Sequence, residues 1–319
     1  MMMAARPKPI LEHMPDHLKE EIIKSCSLAI RRMVRMMSKQ WMRDTDAIPI
    51  SFKAVNLSIT DSDVRCSVDQ GCGVKLFYKK WDTDEHEICQ QPIDMFAKNL
   101  VTRGHAVKTF NLDLTVNEGR FSENIVKSEV YLQSLLGTLN QQIRTSRRTD
   151  AVAVEHLNVF LDAGAADMRD LLSVFLPGYL KTIEFKTYPV VPEVLVLENM
   201  PDAWKQAKKV ILHGFACLGS YQVFAHFETV IVSFHEMSLV LVKEIVEAWF
   251  QNKQKYVVVC GSFDNEEVDI AIQEHLGQFE RTGENTWEFN VPGRELRSKV
   301  TYHGTRIDVT EIQPEMIIH

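Results

Sequence analysis

From residue 107 onward the sequence alternates between strand-like and helix-like segments, and this alternation restricts the fold more than any other feature. Each strand-like segment is short and apolar, and most are separated by stretches whose apolar residues recur every three or four positions. The predicted strands are 107–116, 154–161, 180–185, 209–213, 227–234 and 256–260. The predicted helices are 124–143, 167–175, 202–208, 238–252 and one beginning at Asp264. The order predicts an α/β fold with a largely parallel sheet.

The predicted strands share the pattern apolar-x-x-apolar-x-apolar. It occurs at Val107/Phe110/Leu112, Val154/Leu157/Val159, Leu180/Ile183/Phe185, Ala207/Val210/Leu212 and Phe227/Val230/Val232. The last four begin 26, 27 and 20 residues apart, which is the period range of leucine-rich-repeat-like solenoids. Because 45% of the residues are apolar, the pattern alone arises often by chance, and it gains weight only where it coincides with strands. The asparagine that closes a strict leucine-rich repeat is missing, so the expected likeness is a curved sheet, followed by a β-rich C-terminus.

The chain begins with a different texture, which predicts three short helices within residues 9–46. Met14-Pro15-Asp16 is a helix-start signal, and Leu18, Ile22 and Ile23 then recur on one face. So small a unit cannot bury a sufficient core by itself. We therefore expect it to dock against a partner or against the rest of the chain. A run of basic residues in the predicted second and third helices reads as a solvated face, with contact to an acidic partner as the alternative. It comprises Arg31, Arg32, Arg35, Lys39 and Arg43.

Composition excludes several classes of function. The net charge of −7 argues against direct binding of nucleic acid over the whole surface. No segment resembles a signal peptide or is long enough to span a bilayer, so no membrane association is expected. Six cysteines at irregular spacing indicate reduced thiols and a location in the cytoplasm or nucleus.

Signals of catalysis or cofactor binding are weak. The glycines of Gly71-Cys72-Gly73 precede a strand, which favours a turn over a phosphate-binding loop. Cys66 and Cys72 lack the spacing and the downstream partners of a zinc site. The histidines lack metal-ligand spacing, and no nucleophile elbow is present. We therefore predict no catalytic residue, no metal and no cofactor.

Four blocks carry a family resemblance. Met14-Pro15-Asp16, followed by Val34-Arg35-Met36-Met37-Ser38-Lys39, resembles a divergent F-box. Leu176-Pro177-Gly178-Tyr179-Leu180-Lys181-Thr182-Ile183-Glu184-Phe185, Trp204-Lys205-Gln206-Ala207-Lys208 and His226-Phe227-Glu228 resemble the FTH-type F-box-associated domain. That domain belongs to a large nematode family of F-box proteins. The resemblance implies a three-helix F-box at 9–46, a β-rich connecting region at 47–124 and an FTH-type domain at 125–319.

The resemblance also implies a role as the substrate-receptor subunit of a cullin-RING (SCF-type) ubiquitin ligase. The F-box would bind a Skp-family adaptor, and through it the cullin core, by a surface comprising Met14, Pro15, Leu18, Ile22 and Ile23. The FTH-type domain would bind an unknown protein substrate, while other subunits transfer ubiquitin. The alternative is a non-catalytic scaffold that sequesters its partners without ubiquitin transfer.

Alternation along the strands predicts where a substrate could bind. One face of each strand is uniformly apolar, whereas the other mixes apolar and polar residues, as a recognition surface does. The residues predicted for substrate contact on this mixed face are Asn158, Phe160, Ile211, His213 and Ile231. The alternative is that a second layer buries Phe160, Ile211 and Ile231, as in parallel sheets covered on both sides. Trp204 is predicted to be a buried anchor that contacts no ligand.

Overall fold

The structure of the protein is a computed structural model. It describes residues 14–26, 28–47, 51–60, 63–69, 74–80, 97, 106–114, 121–145, 151–161, 168–187, 193–236, 238–251, 254–261, 279–283, 286–290, 297–302 and 306–311. The helix predicted from Asp264 lies outside these residues.

The described helices are α1 (Asp16–Ser25), α2 (Leu28–Met37), α3 (Lys39–Ala47), α4 (Phe121–Thr145), α5 (Met168–Ser173), α6 (Asp202–Lys205) and α7 (Leu239–Gln251), with a 3-10 helix at Tyr221–Phe224. The described strands are β1 (Ser51–Ile59), β2 (Asp63–Asp69), β3 (Val74–Lys80), β4 (Ala106–Leu114), β5 (Ala153–Leu161), β6 (Thr182–Lys186), β7 (Glu193–Val196), β8 (Lys209–His213), β9 (Phe215–Leu218), β10 (Thr229–Ser233), β11 (Tyr256–Cys260), β12 (Phe279–Gly283), β13 (Thr286–Asn290), β14 (Arg297–Tyr302) and β15 (Arg306–Glu311).

Thirteen of the described strands form one sheet, in the order β12-β13-β14-β15-β11-β10-β8-β6-β5-β4-β1-β2-β3. Its centre is parallel, and β1, β4, β5, β6, β8, β10 and β11 follow one another in chain order. Antiparallel strands extend both edges, with β2 and β3 beside β1 and with β12–β15 beside β11. The mixed α/β fold with a large, mostly parallel sheet and a β-rich C-terminus is confirmed.

The apolar positions of the strand repeat form rows across the core. The second position of each triplet lies in register with its neighbours, and every member of this row is at most 1% exposed. The row comprises Val55, Phe110, Leu157, Ile183, Val210, Val230 and Val257. Two further triplets lie in register with this repeat, Phe52/Val55/Leu57 in β1, within the predicted β-rich region 47–124, and Gln254/Val257/Val259 at β11. The second was missed because a glutamine, fully buried here, replaces the first apolar residue.

Helices cover this apolar face of the sheet. Leu135 of α4, Leu171 of α5 and Val242 of α7 belong to the same continuous core as the strand residues. The predicted boundary at residue 124 falls before β5, which pairs with β4 within one sheet. The 47–124 region thus contributes β1–β4 to that sheet.

A helix follows both Pro-Asp pairs. In each case the proline is the residue before the helix, and the aspartate is its first residue. Pro15 precedes α1, and its carbonyl oxygen accepts hydrogen bonds from the backbone N–H groups of Leu18 and Lys19 at 3.0 and 3.1 Å. Pro201 precedes α6 in the same way, with Trp204 N–H donating to its carbonyl at 3.0 Å. Proline suits such a flanking position because it fixes φ and needs no N–H partner there.

A second, two-stranded parallel sheet pairs β7 with β9. Gly214 connects β8 to β9 with φ +82°, a conformation that L side chains rarely adopt. A Cβ on this residue would lie 2.2 Å from the carbonyl oxygen of Thr187, and the Thr187 N–H donates to the carbonyl of His213 at 3.0 Å. This close approach requires glycine, and the sequence did not predict β9.

Candidate interaction surfaces

Helices α1–α3 form a small helical module with very little core. Ile23 is fully buried and Trp41 is 4% exposed. Ser38 precedes α3, and its hydroxyl accepts a hydrogen bond from the Trp41 N–H at 3.2 Å, as an N-cap does. The module thus has defined helix ends but buries few apolar side chains.

Most of the module's large apolar side chains lie on its surface. Seven of them are between 38% and 78% exposed, namely Leu18, Ile22, Ile30, Met33, Met36, Met37 and Met42. Such a concentration on three short helices is typical of a protein-interaction surface. Methionine suits this use because its unbranched side chain adapts to an irregular partner.

The predicted adaptor-binding residues divide into two groups. Leu18 and Ile22, one helical turn apart on α1, are 41% and 38% exposed and share a face. Pro15 is also exposed, and Met14 is half-buried. Ile23, by contrast, is fully buried and is therefore not available to a partner.

The structure corrects the interpretation of Arg31 as part of a solvated basic face. This side chain is only 6% exposed, and its guanidinium donates to the backbone carbonyls of Cys26 and Lys24 at 3.3 and 3.4 Å. These carbonyls belong to the last turn of α1 and the residue after it, where a positive charge is favoured by the helix dipole. Arg31 therefore fixes α1 against α2, while Arg35 and Arg43 remain exposed.

The five residues predicted for substrate contact all lie on the mixed face of the sheet. Asn158, Ile211 and Ile231 share its middle row, which runs across the strands between the buried rows, and Phe160 and His213 lie in the next row. His213 is exposed, Asn158, Phe160 and Ile231 are half-buried, and Ile211 is 7% exposed. A second layer therefore does not bury this face over its whole width.

The middle row begins with an asparagine ladder, formed by Asn56, Asn111 and Asn158 on the adjacent strands β1, β4 and β5. Their carboxamides are hydrogen-bonded in series, Asn158 to Asn111 at 2.7 Å and Asn111 to Asn56. Asn56 is in turn bonded to the Ser67 hydroxyl at 2.7 Å. Sequence reasoning found Asn158 but missed the other two, although each stands between the last two apolar residues of its triplet.

Glu184 gives the asparagine ladder a direction. When the Asn158 nitrogen faces Asn111, the Asn158 oxygen faces the Glu184 carboxylate, which can only accept. In the opposite orientation the nitrogen donates to Glu184 Oε2 and to the Leu157 carbonyl, both at 3.2 Å. The other carboxamides then turn in the same sense, and the Ser67 hydroxyl can donate instead of accept. Hydrogen bonding therefore favours amide nitrogens directed toward Glu184.

An open groove of about 300 Å³ lies beside the asparagine ladder. Its lining includes the three asparagines together with Asp113, Phe160, Glu184 and Lys186. The Lys186 ammonium lies 2.6 Å from Glu184 Oε1 and 5.2 Å from the centre of the Phe160 ring. Ion pair and cation–π contact thus hold Lys186 across one end of the groove.

Lysine–glutamate ion pairs link the beginnings of neighbouring parallel strands. Lys181 bonds to Glu155 at 2.6 Å, and Lys208 and Lys255 bond to Glu228 at 3.1 and 2.8 Å. The hydrogen bonds from these lysines lower the pKa of both carboxyl groups. Because these side chains are largely solvated, each pair stabilises the fold only slightly.

Trp204 is 1% exposed, as the sequence predicts for a buried anchor. Its ring packs edge-on against Phe227 with centroids 5.0 Å apart, and its indole N–H donates to the Val223 carbonyl at 3.2 Å. His226 stacks on Phe227 at 3.9 Å between ring centroids. Two of the motif blocks thus meet in one aromatic cluster.

The described residues contain no group of three or more His, Cys, Asp or Glu side chains placed to hold a metal ion. Burial raises the pKa of the Cys66 and Cys217 thiols to about 12, so neither is a ready nucleophile. Among the helices that the structure describes, none has the length and apolar character needed to cross a membrane.

Comparison with known proteins gives one match. The family model of the FTH domain matches residues 138–276, which run from within α4 past β11 and include the Trp204 and His226 blocks. This match supports an FTH-type protein. No curated protein and no solved structure matches the chain.

Proposed function

We propose that this protein is the substrate-receptor subunit of a cullin-RING (SCF-type) ubiquitin ligase in the cytoplasm or nucleus. The helical module would serve as an F-box that binds a Skp-family adaptor, and the adaptor would connect it to the cullin. The FTH-type region would bind a protein substrate on a leucine-rich-repeat-like sheet. Other subunits would carry out ubiquitin transfer, so the protein itself needs no catalytic residue.

The observation that carries this proposal is the match of the FTH domain model to residues 138–276. FTH domains are associated with F-box proteins, and the three short helices α1–α3 precede the matched region. The two features together favour a receptor over an unrelated α/β protein.

The helical module supports the adaptor-binding part of the proposal. Its seven exposed apolar side chains would be removed from water by a partner, at about 25 cal/mol for each Å² of apolar surface buried. Leu18 and Ile22 present such groups on α1, next to the exposed Pro15. The core residues Ile23 and Trp41 would hold the helices in place for docking.

The mixed face of the sheet supports the substrate-binding part. It presents amide, charged, aromatic and aliphatic groups side by side, a combination that is typical of protein-recognition surfaces. The covered face carries the core, so substrate contact would fall to this face and the loops around it.

Purification of the tagged full-length protein from cell extract tests the proposal. We expect both a Skp-family adaptor and a cullin to co-purify with it. Recovery of neither would contradict the proposed function. Recovery of the adaptor without the cullin would instead favour the scaffold that sequesters its partners.

A further inference from the structure

The asparagine ladder uses only part of its hydrogen-bonding capacity. Asn111, in the middle, donates one N–H to one neighbouring carboxamide and accepts one hydrogen bond from the other. A carboxamide has two N–H groups and two acceptor lone pairs. Among the described residues, one donor and one acceptor of Asn111 therefore remain without a partner, and the residue is half-buried at the groove.

A peptide bond offers the complement of such a group, one N–H donor and one C=O acceptor. Adjacent strands lie about 4.8 Å apart, so the three carboxamides span about 10 Å. Three residues of extended main chain, at about 3.1 to 3.4 Å each, cover the same length. A short peptide segment laid across β1, β4 and β5 could thus contact all three.

Charge complementarity favours a neutral segment. The three carboxamides carry no charge, and the charges of Glu184 and Lys186 are paired at 2.6 Å. Phe160 offers apolar area for one aliphatic side chain.

We infer that the asparagine ladder and its groove bind a short extended, uncharged peptide segment of a protein partner through that segment's main-chain amides. This inference rests on the proposed function, because it specifies the contact by which the receptor would hold a substrate. Glu184 acts as a positioning residue that fixes the direction of the carboxamides. Recognition of main chain would make the groove tolerant of sequence, leaving selectivity to the surrounding face.

The test uses two matched probes and the full-length protein labelled with ¹⁵N at asparagine. N-acetyl-tetraglycine N-methylamide carries main-chain N–H donors within its tetraglycine unit, whereas the tetrasarcosine analogue has N-methyl groups at those positions. We expect saturable shifts of the Asn56, Asn111 and Asn158 side-chain amide signals with the glycine probe. Because two or more hydrogen bonds are lost, binding of the sarcosine probe should be about tenfold weaker or worse. Equal binding of both probes, or no saturable shift with the glycine probe, would by itself overturn the inference.

An Asn111→Leu variant provides the second arm, since leucine is similar in size but cannot hydrogen-bond. It should lose at least about tenfold in affinity for the glycine probe. Asn140→Leu, on the exposed side of α4, is the matched control and should bind as the unsubstituted protein does. Unchanged binding by folded Asn111→Leu would also overturn the inference. Adaptor binding is independent of this groove, so failure here and failure of the proposed function are distinguishable.

Discussion

The Nε2 atom of His226 lies 3.0 Å from the backbone carbonyl oxygen of Trp204. This contact joins the end of the short helix α6 to the turn before β10, across 22 residues of sequence. The Trp204 indole N–H donates a hydrogen bond to the Val223 carbonyl, in the 3-10 helix just before this turn. The two segments are therefore held by reciprocal hydrogen bonds as well as by ring packing.

Replacing Trp204 with alanine should destabilise the protein by about 3–5 kcal/mol, because a fully buried indole and its hydrogen bond are lost together. Chemical denaturation measures the change. Trp204→Phe keeps most of the packing and should cost less. A free energy of unfolding unaffected by Trp204→Ala would show that the aromatic cluster does not anchor the fold.

His226 should make stability decrease as the pH falls. Partial desolvation lowers its pKa below the usual 6.5, so the unfolded chain binds a proton more readily than the folded protein does. Above pH 6.5, His226 is neutral in both states and the folded protein keeps its full stability. As the pH drops below 6.5 toward the lower folded-state pKa, the unfolded chain takes up the proton first, and the free energy of unfolding decreases. His226→Gln retains a donor for the Trp204 carbonyl but does not titrate, so its unfolding free energy should fall less steeply with decreasing pH. Identical pH profiles of the two proteins would contradict this assignment.

Phe160 and Phe185 provide a matched pair for the two faces of the sheet. Phe185 is fully buried, and its truncation to alanine should cost about 3–5 kcal/mol. Phe160 is half-buried on the mixed face, where the same change should cost about 1 kcal/mol, mainly from lost contact with Lys186. Thermal unfolding of the two variants compares their losses of stability. Similar large losses would indicate that a second layer covers the mixed face.

Alanine substitutions at Gly214 and Gly219 distinguish the destabilisation caused by a steric clash from that caused by backbone strain. Both have positive φ, +82° and +103°, so alanine at either position strains the backbone by about 1–2 kcal/mol. Only at Gly214 would the new Cβ collide with Thr187, since nothing lies within 4 Å at Gly219. Gly214→Ala should therefore be clearly more destabilising than Gly219→Ala in chemical denaturation. Equal losses would show that the β8–β9 connection can shift to relieve the contact.

The sequence predicts the parallel strands well because each places a strictly apolar face against the helices. Strands β8 and β11 begin and end at the predicted residues, and the helix predicted at 124–143 is α4. Strand β2, however, was not predicted, although Val64, Cys66 and Val68 alternate with polar residues as in a half-buried strand. Strand β9 was not predicted, because Gly214 alone separates it from the end of β8.

The interaction surfaces are less predictable, because apolar spacing identifies a face but not its exposure. Leu18, Ile22 and Ile23 belong to one apolar helix pattern, yet only Ile23 of the three is buried. Arg31 shares the basic pattern of Arg35 but turns inward to the end of α1. The asparagine ladder depends on register between strands that are about fifty residues apart, which no local pattern specifies.

Titration calorimetry of the full-length protein with a purified Skp-family adaptor is the direct test of adaptor binding by the helical module. The unsubstituted protein should bind, and Ile22→Asp should lose at least about 30-fold in affinity, since it places a charge in an apolar interface. Val240→Asp is the matched control, because Val240 is 65% exposed on α7 and lies outside the helical module. We expect the unsubstituted protein and Val240→Asp to bind with similar affinity and Ile22→Asp to bind far more weakly. Unchanged affinity of Ile22→Asp, or no binding by the unsubstituted protein, would contradict it.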